Sequence, residues 1–272
     1  MTFDSAGNLW AAFYDGNTVL NLGPPDLNYV FSPFPAIQQG LNGPTRLAIQ
    51  GGGFLYATNS AGNSITIYNT QVAGYPLVKT ISGLHVPLGI AVDSNASIFV
   101  AENASSDIAV YNSSGQKLGT KTVDASGHQF TAPGALAISG SYLYVGTQDG
   151  SVHAYLIANF LQSLGGCVSI PKLGNSCWPA FDPSEAASYW DGASTGPTGI
   201  AFDAKGDVYV SYYYSSDLVK YSPSGILEWS QNGRAHSEVR RAHRKDPRVI
   251  FAAPRRTGST AFTLLCDHFS VS

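Results

Sequence analysis

The feature that most constrains this chain is a proline-led segment that recurs along it. Residues 86–93 read VPLGIAVD, and residues 196–203 read GPTGIAFD. Shorter copies, GPTRLAI and APGALAI, begin at residues 43 and 132. The chain also opens inside a copy, because residues 1–4 (MTFD) match the end of the same segment. Recurrence of one segment at a near-constant step is typical of a repeat architecture, in which each repeat is one supersecondary unit.

Each repeat continues in the same way after its proline-led strand. In the third repeat a polar turn leads to an apolar strand at 98–101, a polar loop, and another apolar strand at 108–111. Successive prolines at 44, 87 and 133 are 43 and 46 residues apart, and the step to Pro197 is 64. Short strands bounded by glycine and proline predict a four-stranded antiparallel sheet per repeat, with an insertion at about 156–195. A content of only 12% charged residues, with 29 glycines, agrees with this.

One such sheet cannot bury both faces, whereas similar sheets packed face to face around an axis can. The repeated pattern Gly-Pro-x-Gly-Ile-Ala-x-Asp resembles the NHL-repeat β-propellers over residues 1 to about 230. The resemblance implies an all-β propeller with about five recognisable four-stranded blades, forming an incomplete six-bladed ring. Gln50 and Ser139 depart from the pattern at the aspartate position.

Charge divides the chain at about residue 230. Residues 1–230 contain seven basic and fifteen acidic side chains, whereas 231–272 contain eight basic and three acidic ones. We therefore expect residues 231–272 to be a basic tail of unrelated composition, either disordered or a degenerate blade. Within it, residues 248–266 loosely resemble the phosphosulfate-binding loop of sulfotransferases, through Pro-Arg-Arg-Thr-Gly-Ser-Thr at 254–260.

Composition also limits the partners of the predicted propeller. Its acidic character argues against nucleic acid binding, and the absence of an apolar run of roughly 18 residues argues against a membrane-spanning segment. Cys167 and Cys177 lie ten residues apart and are a candidate disulfide, the alternative being two reduced thiols. A disulfide would favour a secreted or periplasmic parent protein, although the sequence does not assign a compartment.

In a propeller the ligand face is built from the loops that lead into the inner strands and those that join the second and third strands. The polar and aromatic side chains of these loops are the candidate binding residues: Arg46, Asn59, Glu102, Asn103, Asp107, Asp149, Tyr213 and Asp217. No catalytic set and no metal-ligand set is predicted. Asp4, Asp93 and Asp203 end inner strands, and we expect them to accept backbone N–H groups in the following turns.

These observations lead to one hypothesis with two alternatives. The hypothesis is a non-enzymatic scaffold that binds an unknown protein or small ligand on the axial loop face and needs no cofactor. The first alternative is a calcium-dependent enzyme similar to propeller lactonases or lyases, with Glu102, Asn59 and Asp149 near the axis, since calcium prefers oxygen ligands. The second alternative is a truncated or misassembled chain with no intact function.

Overall fold

The computed structural model describes residues 1–24, 36–123, 129–162 and 196–232, and three short strands within 163–195. Four-stranded antiparallel sheets dominate these residues, and we call them blades 1 to 5 in chain order. Blade 1 contains β1 (Thr2–Phe3), β2 (Leu9–Phe13), β3 (Thr18–Asn21) and β4 (Ala36–Ile37). Blade 2 contains β5 (Pro44–Gln50), β6 (Phe54–Asn59), β7 (Ser64–Asn69) and β8 (Leu77–Ser82). Blade 3 contains β9 (Pro87–Val92), β10 (Ile98–Glu102), β11 (Asp107–Tyr111) and β12 (Lys117–Lys121).

The last two blades follow the same plan with one interruption. Blade 4 begins with β13 (Ala135–Ser139), β14 (Tyr142–Gly146) and β15 (Val152–Leu156). The chain then forms helix α1 (Ile157–Gln162), the hairpin β16 (Val168–Ile170) and β17 (Gly174–Ser176), and β18 (Ser188–Tyr189), which is the outer strand of blade 4. Blade 5 contains β19 (Pro197–Phe202), β20 (Val208–Tyr212), β21 (Asp217–Tyr221) and β22 (Leu227–Asn232). The extra residues of the long repeat therefore lie between the third and fourth strands of blade 4.

Four apolar clusters lie between successive blades. Trp10 and Tyr68 are central between blades 1 and 2, and Phe99, Phe130 and Phe160 between blades 3 and 4. The other two clusters lie between blades 2 and 3 and between blades 4 and 5. All residues of β10 are buried, because blades 2 and 4 cover its two sides. Burial of apolar surface on both faces of a blade is the main term that holds the arrangement together.

The inner strands contact each other in the order β1, β5, β9, β13 and β19. Gly89 shows why small residues are needed here: a Cβ at this position would lie 3.0 Å from the backbone nitrogen of Leu136 on β13. Among the described residues, β19 and β1 have no contact of comparable extent. The predicted all-β propeller with five four-stranded blades is confirmed.

The expected turn aspartates are also confirmed. Asp203 Oδ1 accepts the backbone N–H groups of Lys205 (2.9 Å) and Asp207 (3.0 Å), and the Oδ1 atoms of Asp4 and Asp93 make the corresponding pairs of bonds. These bonds close the turn between the first two strands of blades 1, 3 and 5. Each aspartate thus has a structural role at the end of the blade that is opposite to the candidate binding loops.

Helix α1 was not expected from the repeat pattern. It places Phe160 in the core between blades 3 and 4, with ring centroids 5.9 Å from Phe99. Cys167, Cys177 and residues 233–272 lie outside the described residues, so the disulfide and the tail remain predictions. The described helix is too short to span a bilayer.

Candidate functional site

We define the axial-loop face as the end of the propeller formed by two sets of loops. One set leads into the inner strands, and the other joins the second and third strands of each blade. Both sets lie at the same end because successive strands of a blade run in opposite directions. All eight candidate binding residues lie on these loops or on the adjoining strand ends.

A hydrogen bond links each of the first three blades to the next blade at this face. The acceptor is a side-chain oxygen of the last residue in the loop between the second and third strands of one blade. The donor is the backbone N–H of the residue that precedes the inner-strand proline of the next blade. The pairs are Asn17 Oδ1 with Gly43 N (2.7 Å), Asn63 Oδ1 with Val86 N (2.8 Å), and Ser106 Oγ with Ala132 N (3.1 Å). We call these bonds the inter-blade latches. Sequence reasoning missed them, although a polar residue at each loop end is visible in the repeats.

The residues before the inner-strand prolines share an unusual backbone conformation. Their φ angles are positive: 62° at Gly43, 51° at Val86, 42° at Ala132 and 68° at Gly196. Glycine adopts this region at little cost, whereas for a β-branched residue it is an outlier. The inner-strand loop of blade 3 is therefore strained at Val86, and the strain is held in place by hydrogen bonds to neighbouring loops.

Asn59 and Glu102 occupy equivalent positions at the ends of β6 and β10. Asn59 Oδ1 accepts the backbone N–H of Asn42 (3.1 Å), and Glu102 Oε1 accepts that of His85 (2.9 Å). Asn59 also donates through Nδ2 to Thr66 Oγ1 (3.1 Å), so its amide is engaged inside blade 2. Both side chains are fully buried. Each therefore holds the loop that leads into the inner strand of its own blade.

Glu102 differs from Asn59 in its second oxygen atom. Residues 102 and 107 are directly paired between β10 and β11, so the negative charge of Glu102 acts on the carboxyl group of Asp107. Glu102 Oε2 and Asp107 Oδ1 are buried and have no hydrogen-bond partner. Lys117 Nζ lies 3.7 Å from Oε2, and His85 Nδ1 lies 3.8 Å from Oε1.

This carboxyl pair affects the protonation of Asp107. Burial, followed by the negative charge of Glu102, raises the pKa of Asp107 from 3.8 to about 6. Burial and the same two carboxylates raise the pKa of Tyr111 to about 12. Asp107 therefore binds a proton more readily than an exposed aspartate would.

Arg46 reaches the centre of the propeller. Its side chain starts on the inner strand of blade 2, and Nη2 donates to the carbonyl oxygen of Thr198 on the inner strand of blade 5 at 2.6 Å. Only 4% of the residue is exposed. The guanidinium thus connects two blades that are not neighbours in the chain, and it contributes a buried positive charge near the axis.

The remaining candidates are distributed around the face. Asn103 Nδ2 donates to the carbonyl oxygen of Ala132 (3.0 Å), so it contacts the next blade. Asp149 is exposed and accepts the backbone N–H of Ser151 (3.0 Å) in its turn. Asp217 is half-buried at the start of β21. The described residues bring Glu102 and Asp107 together, but they contain no group of three or more His, Cys, Asp or Glu side chains placed to hold a metal ion.

The tyrosines of the loops divide into buried and exposed ones. Tyr212 is buried, with its hydroxyl 3.2 Å from that of Tyr221, whereas Tyr213 and Tyr214 are 52% and 64% exposed. Tyr14, on the corresponding loop of blade 1, is 47% exposed. Trp10 is also buried, so Tyr212 and Trp10 belong to the core, whereas Tyr14, Tyr213 and Tyr214 lie at the surface.

Comparisons with solved structures agree with the fold. The chain is similar to virginiamycin B lyase from Staphylococcus aureus (14% identity, TM-score 0.54, 86% of this chain and 69% of that chain). It is also similar to a chain of a nidogen/laminin complex (12% identity, TM-score 0.61, 85% and 78%). No family model and no curated protein sequence matches the chain. At these identities the likeness shows the propeller fold alone, and no family match supports the sulfotransferase resemblance of residues 248–266.

Proposed function

We propose that this NHL-like propeller is a binding scaffold whose axial-loop face engages a partner through exposed tyrosine side chains. The observation that carries the proposal is the pair Tyr213 and Tyr214, which are both more than half exposed on one loop. Tyr14 presents a third ring on the corresponding loop of blade 1. Tyrosine is enriched in the contact regions of protein interfaces, where its ring is buried and its hydroxyl finds a partner.

The backbone supports the exposed position of these rings. A Cβ at Gly196 would lie 2.4 Å from the ring of Tyr214, and one at Gly43 would lie 2.7 Å from the ring of Tyr14. Each of these two rings therefore lies against a glycine that precedes an inner-strand proline. A ring supported in this way loses less side-chain entropy on binding than a free one, which favours its use as a contact residue.

A binding screen on the full chain tests the proposal. We would select 12-residue peptides from a random phage-displayed library and measure the binding of each by interferometry. We expect the selected peptides to lose at least tenfold in affinity to the Tyr213→Ser/Tyr214→Ser variant. Val78→Ser is the matched control, since Val78 is 54% exposed on the outer strand of blade 2. Peptides that bind wild type and both variants equally would refute the axial-loop face as the binding surface.

The second candidate function is a calcium-dependent enzyme, and the buried carboxyl pair favours it. Glu102 Oε2 and Asp107 Oδ1 are buried oxygen atoms without hydrogen-bond partners, and oxygen is the ligand that calcium prefers. Two features oppose this candidate: Asn59 is engaged by Asn42 and Thr66, and Lys117 already lies 3.7 Å from Glu102. The described donors thus supply two carboxylates, fewer than the six to eight oxygens of a typical calcium site.

Calcium titration separates the two functions. We would treat the protein with chelator and titrate CaCl2 by isothermal calorimetry, with Glu102→Gln as the comparison. A micromolar site that is lost in Glu102→Gln, together with calcium-dependent turnover in a lactone-hydrolysis and lyase screen, would support the enzyme. If calorimetry of the folded protein detects no heat of calcium binding, the enzyme candidate is refuted and the scaffold proposal is unchanged.

A further inference from the structure

We propose that Asn42 is a site of deamidation, and that the inter-blade latch between blades 1 and 2 sets the rate of this modification. Asn42 is exposed on the loop that leads into the inner strand of blade 2, and Gly43 follows it. The other Asn-Gly pair, at 232–233, extends beyond the described residues. The proposal concerns a chemical change of the chain itself, so it does not depend on the proposed function.

The reaction needs only water and hydroxide. Hydroxide removes the proton of the Gly43 nitrogen, this nitrogen bonds to Cγ of Asn42, and the Cγ–Nδ2 bond breaks. Nδ2 takes up a proton and leaves as ammonia, which leaves a succinimide ring. Water then opens the ring at either carbonyl carbon and gives aspartate or isoaspartate. Both products add a carboxylate, and isoaspartate also lengthens the main chain by one carbon atom before Gly43.

The side chain of Asn42 is available for this reaction. Within the part of the chain that the structure describes, its amide group makes no hydrogen bond, whereas its backbone N–H and carbonyl do. Asn59, Asn63 and Asn112 each precede a serine, another small residue. Their side-chain oxygens accept backbone N–H groups at 3.1, 2.8 and 2.9 Å, which holds these amides in place. Asn42 thus combines a free amide with the least hindered neighbour.

The fold requires the glycine that makes Asn42 reactive. Gly43 has a φ of 62°, which glycine adopts at little cost. A Cβ at this position would lie 2.7 Å from the ring of Tyr14 and 2.7 Å from Cβ of Ala61. A larger residue, which would shield the backbone nitrogen from the amide of Asn42, therefore does not fit. Protection of Asn42 has to come from control of the Gly43 nitrogen itself.

The latch supplies this control. Gly43 N donates to Asn17 Oδ1 at 2.7 Å, and loss of its proton would place a negative nitrogen against the negative end of the Asn17 carbonyl dipole. The backbone of Asn42 is also held, because its N–H donates to Asn59 (3.1 Å) and its carbonyl accepts the N–H of Gly62 (3.0 Å). The nitrogen can therefore attack only after a local opening that breaks the latch.

Peptide mapping by mass spectrometry tests the proposal on the full chain, incubated at pH 8 and 37 °C. Fragmentation of the peptides locates the conversion at Asn42, and enzymatic methylation detects isoaspartate. We expect Asn17→Ala, which removes the acceptor of the latch, to speed the conversion of Asn42 by about threefold to tenfold. Asn17→Asp keeps an acceptor and should react no faster than wild type. Ser106→Ala is the matched control, since it removes the corresponding latch between blades 3 and 4 and should not change the rate at Asn42.

Two outcomes of the mapping would overturn the inference. An unchanged rate in Asn17→Ala would show that the latch does not protect Asn42, and equal acceleration by Ser106→Ala would assign the effect to a general loss of stability. Circular dichroism checks that Asn17→Ala folds. If it does not, hydrogen exchange of the Gly43 N–H in the wild type measures latch opening by NMR. Low concentrations of urea should then speed exchange and deamidation in the same proportion, and deamidation that does not follow exchange would refute the proposal.

Discussion

Asp107→Asn should make the protein more stable at neutral and alkaline pH and change little in acid. The substitution keeps the shape of the side chain and removes its ionisation. In the folded protein the pKa of Asp107 is raised from 3.8 to about 6, chiefly by burial and secondly by Glu102. At about 1.36 kcal/mol per pKa unit, ionising Asp107 at pH 8 costs the folded state up to about 3 kcal/mol. We expect about 1 to 3 kcal/mol to be recovered, because asparagine loses the favourable contact with Ser105.

The direction of the pH dependence follows from proton binding. Between pH 3.8 and about 6, folded Asp107 retains a proton that the unfolded chain has lost. The free energy of unfolding therefore falls as pH rises through this window, and the penalty is complete above it. Asp107→Asn removes this slope, so the wild-type and variant proteins should converge near pH 4 and separate by pH 8.

Urea unfolding followed by tryptophan fluorescence at pH 4 and pH 8 measures this difference. Asp15→Asn is the matched control, because Asp15 is exposed on the same face, and we expect it to change stability by less than about 0.5 kcal/mol at both pH values. Glu102→Gln should also stabilise the protein at pH 8, since its Oε1 can still accept the N–H of His85. Equal effects of Asp107→Asn at the two pH values would refute the reasoning.

Three further substitutions test the blade geometry by the same unfolding assay. Phe99→Tyr should raise the free energy of unfolding by about 1 kcal/mol. Asp93 Oδ2 is buried without a hydrogen-bond partner, whereas Oδ2 of Asp4 and Asp203 accepts a bond from the ring six residues later, Trp10 and Tyr209. A lower free energy of unfolding would mean that the new hydroxyl does not reach Asp93. Val86→Gly should raise the free energy of unfolding by about 1 kcal/mol, because glycine adopts the φ of 51° at this position without strain. An unchanged free energy of unfolding would show that the loop is not strained at Val86. Asn63→Ala should destabilise by about 1 to 2 kcal/mol, whereas Asn63→Asp, which keeps the acceptor for Val86 N, should cost less.

The blades could be predicted from the sequence because the repeat fixes them locally. Proline, glycine and aspartate recur at the same positions of each repeat, and the turn bonds of Asp203 involve only residues within four positions of it. Burial along these strands is not limited to alternate side chains. Ile98 and Phe99 are adjacent in sequence and both fully buried, because β10 lies between two other blades.

The candidate site was predicted in position but not in detail. The sequence identified the loops that contain Glu102 and Asp107, but their contact depends on the register between β10 and β11. The role of Asn59 could not be predicted, because its amide group bonds Asn42 and Thr66, which are 17 and 7 positions away in sequence. Only the folded blade brings these two residues next to Asn59. Arg46 bonds a carbonyl 152 residues away, a pairing for which no local pattern exists.

The inter-blade latches have a consequence for how propellers of this kind change size. Each of these blades supplies an acceptor to the next one, and each following blade supplies the N–H before its inner-strand proline. Duplication of a whole repeat would therefore reproduce a complete latch, and no new pair of bonding residues would have to evolve. A duplication that covers only part of a repeat would leave an acceptor without its donor, so only gains or losses of whole repeats keep every latch.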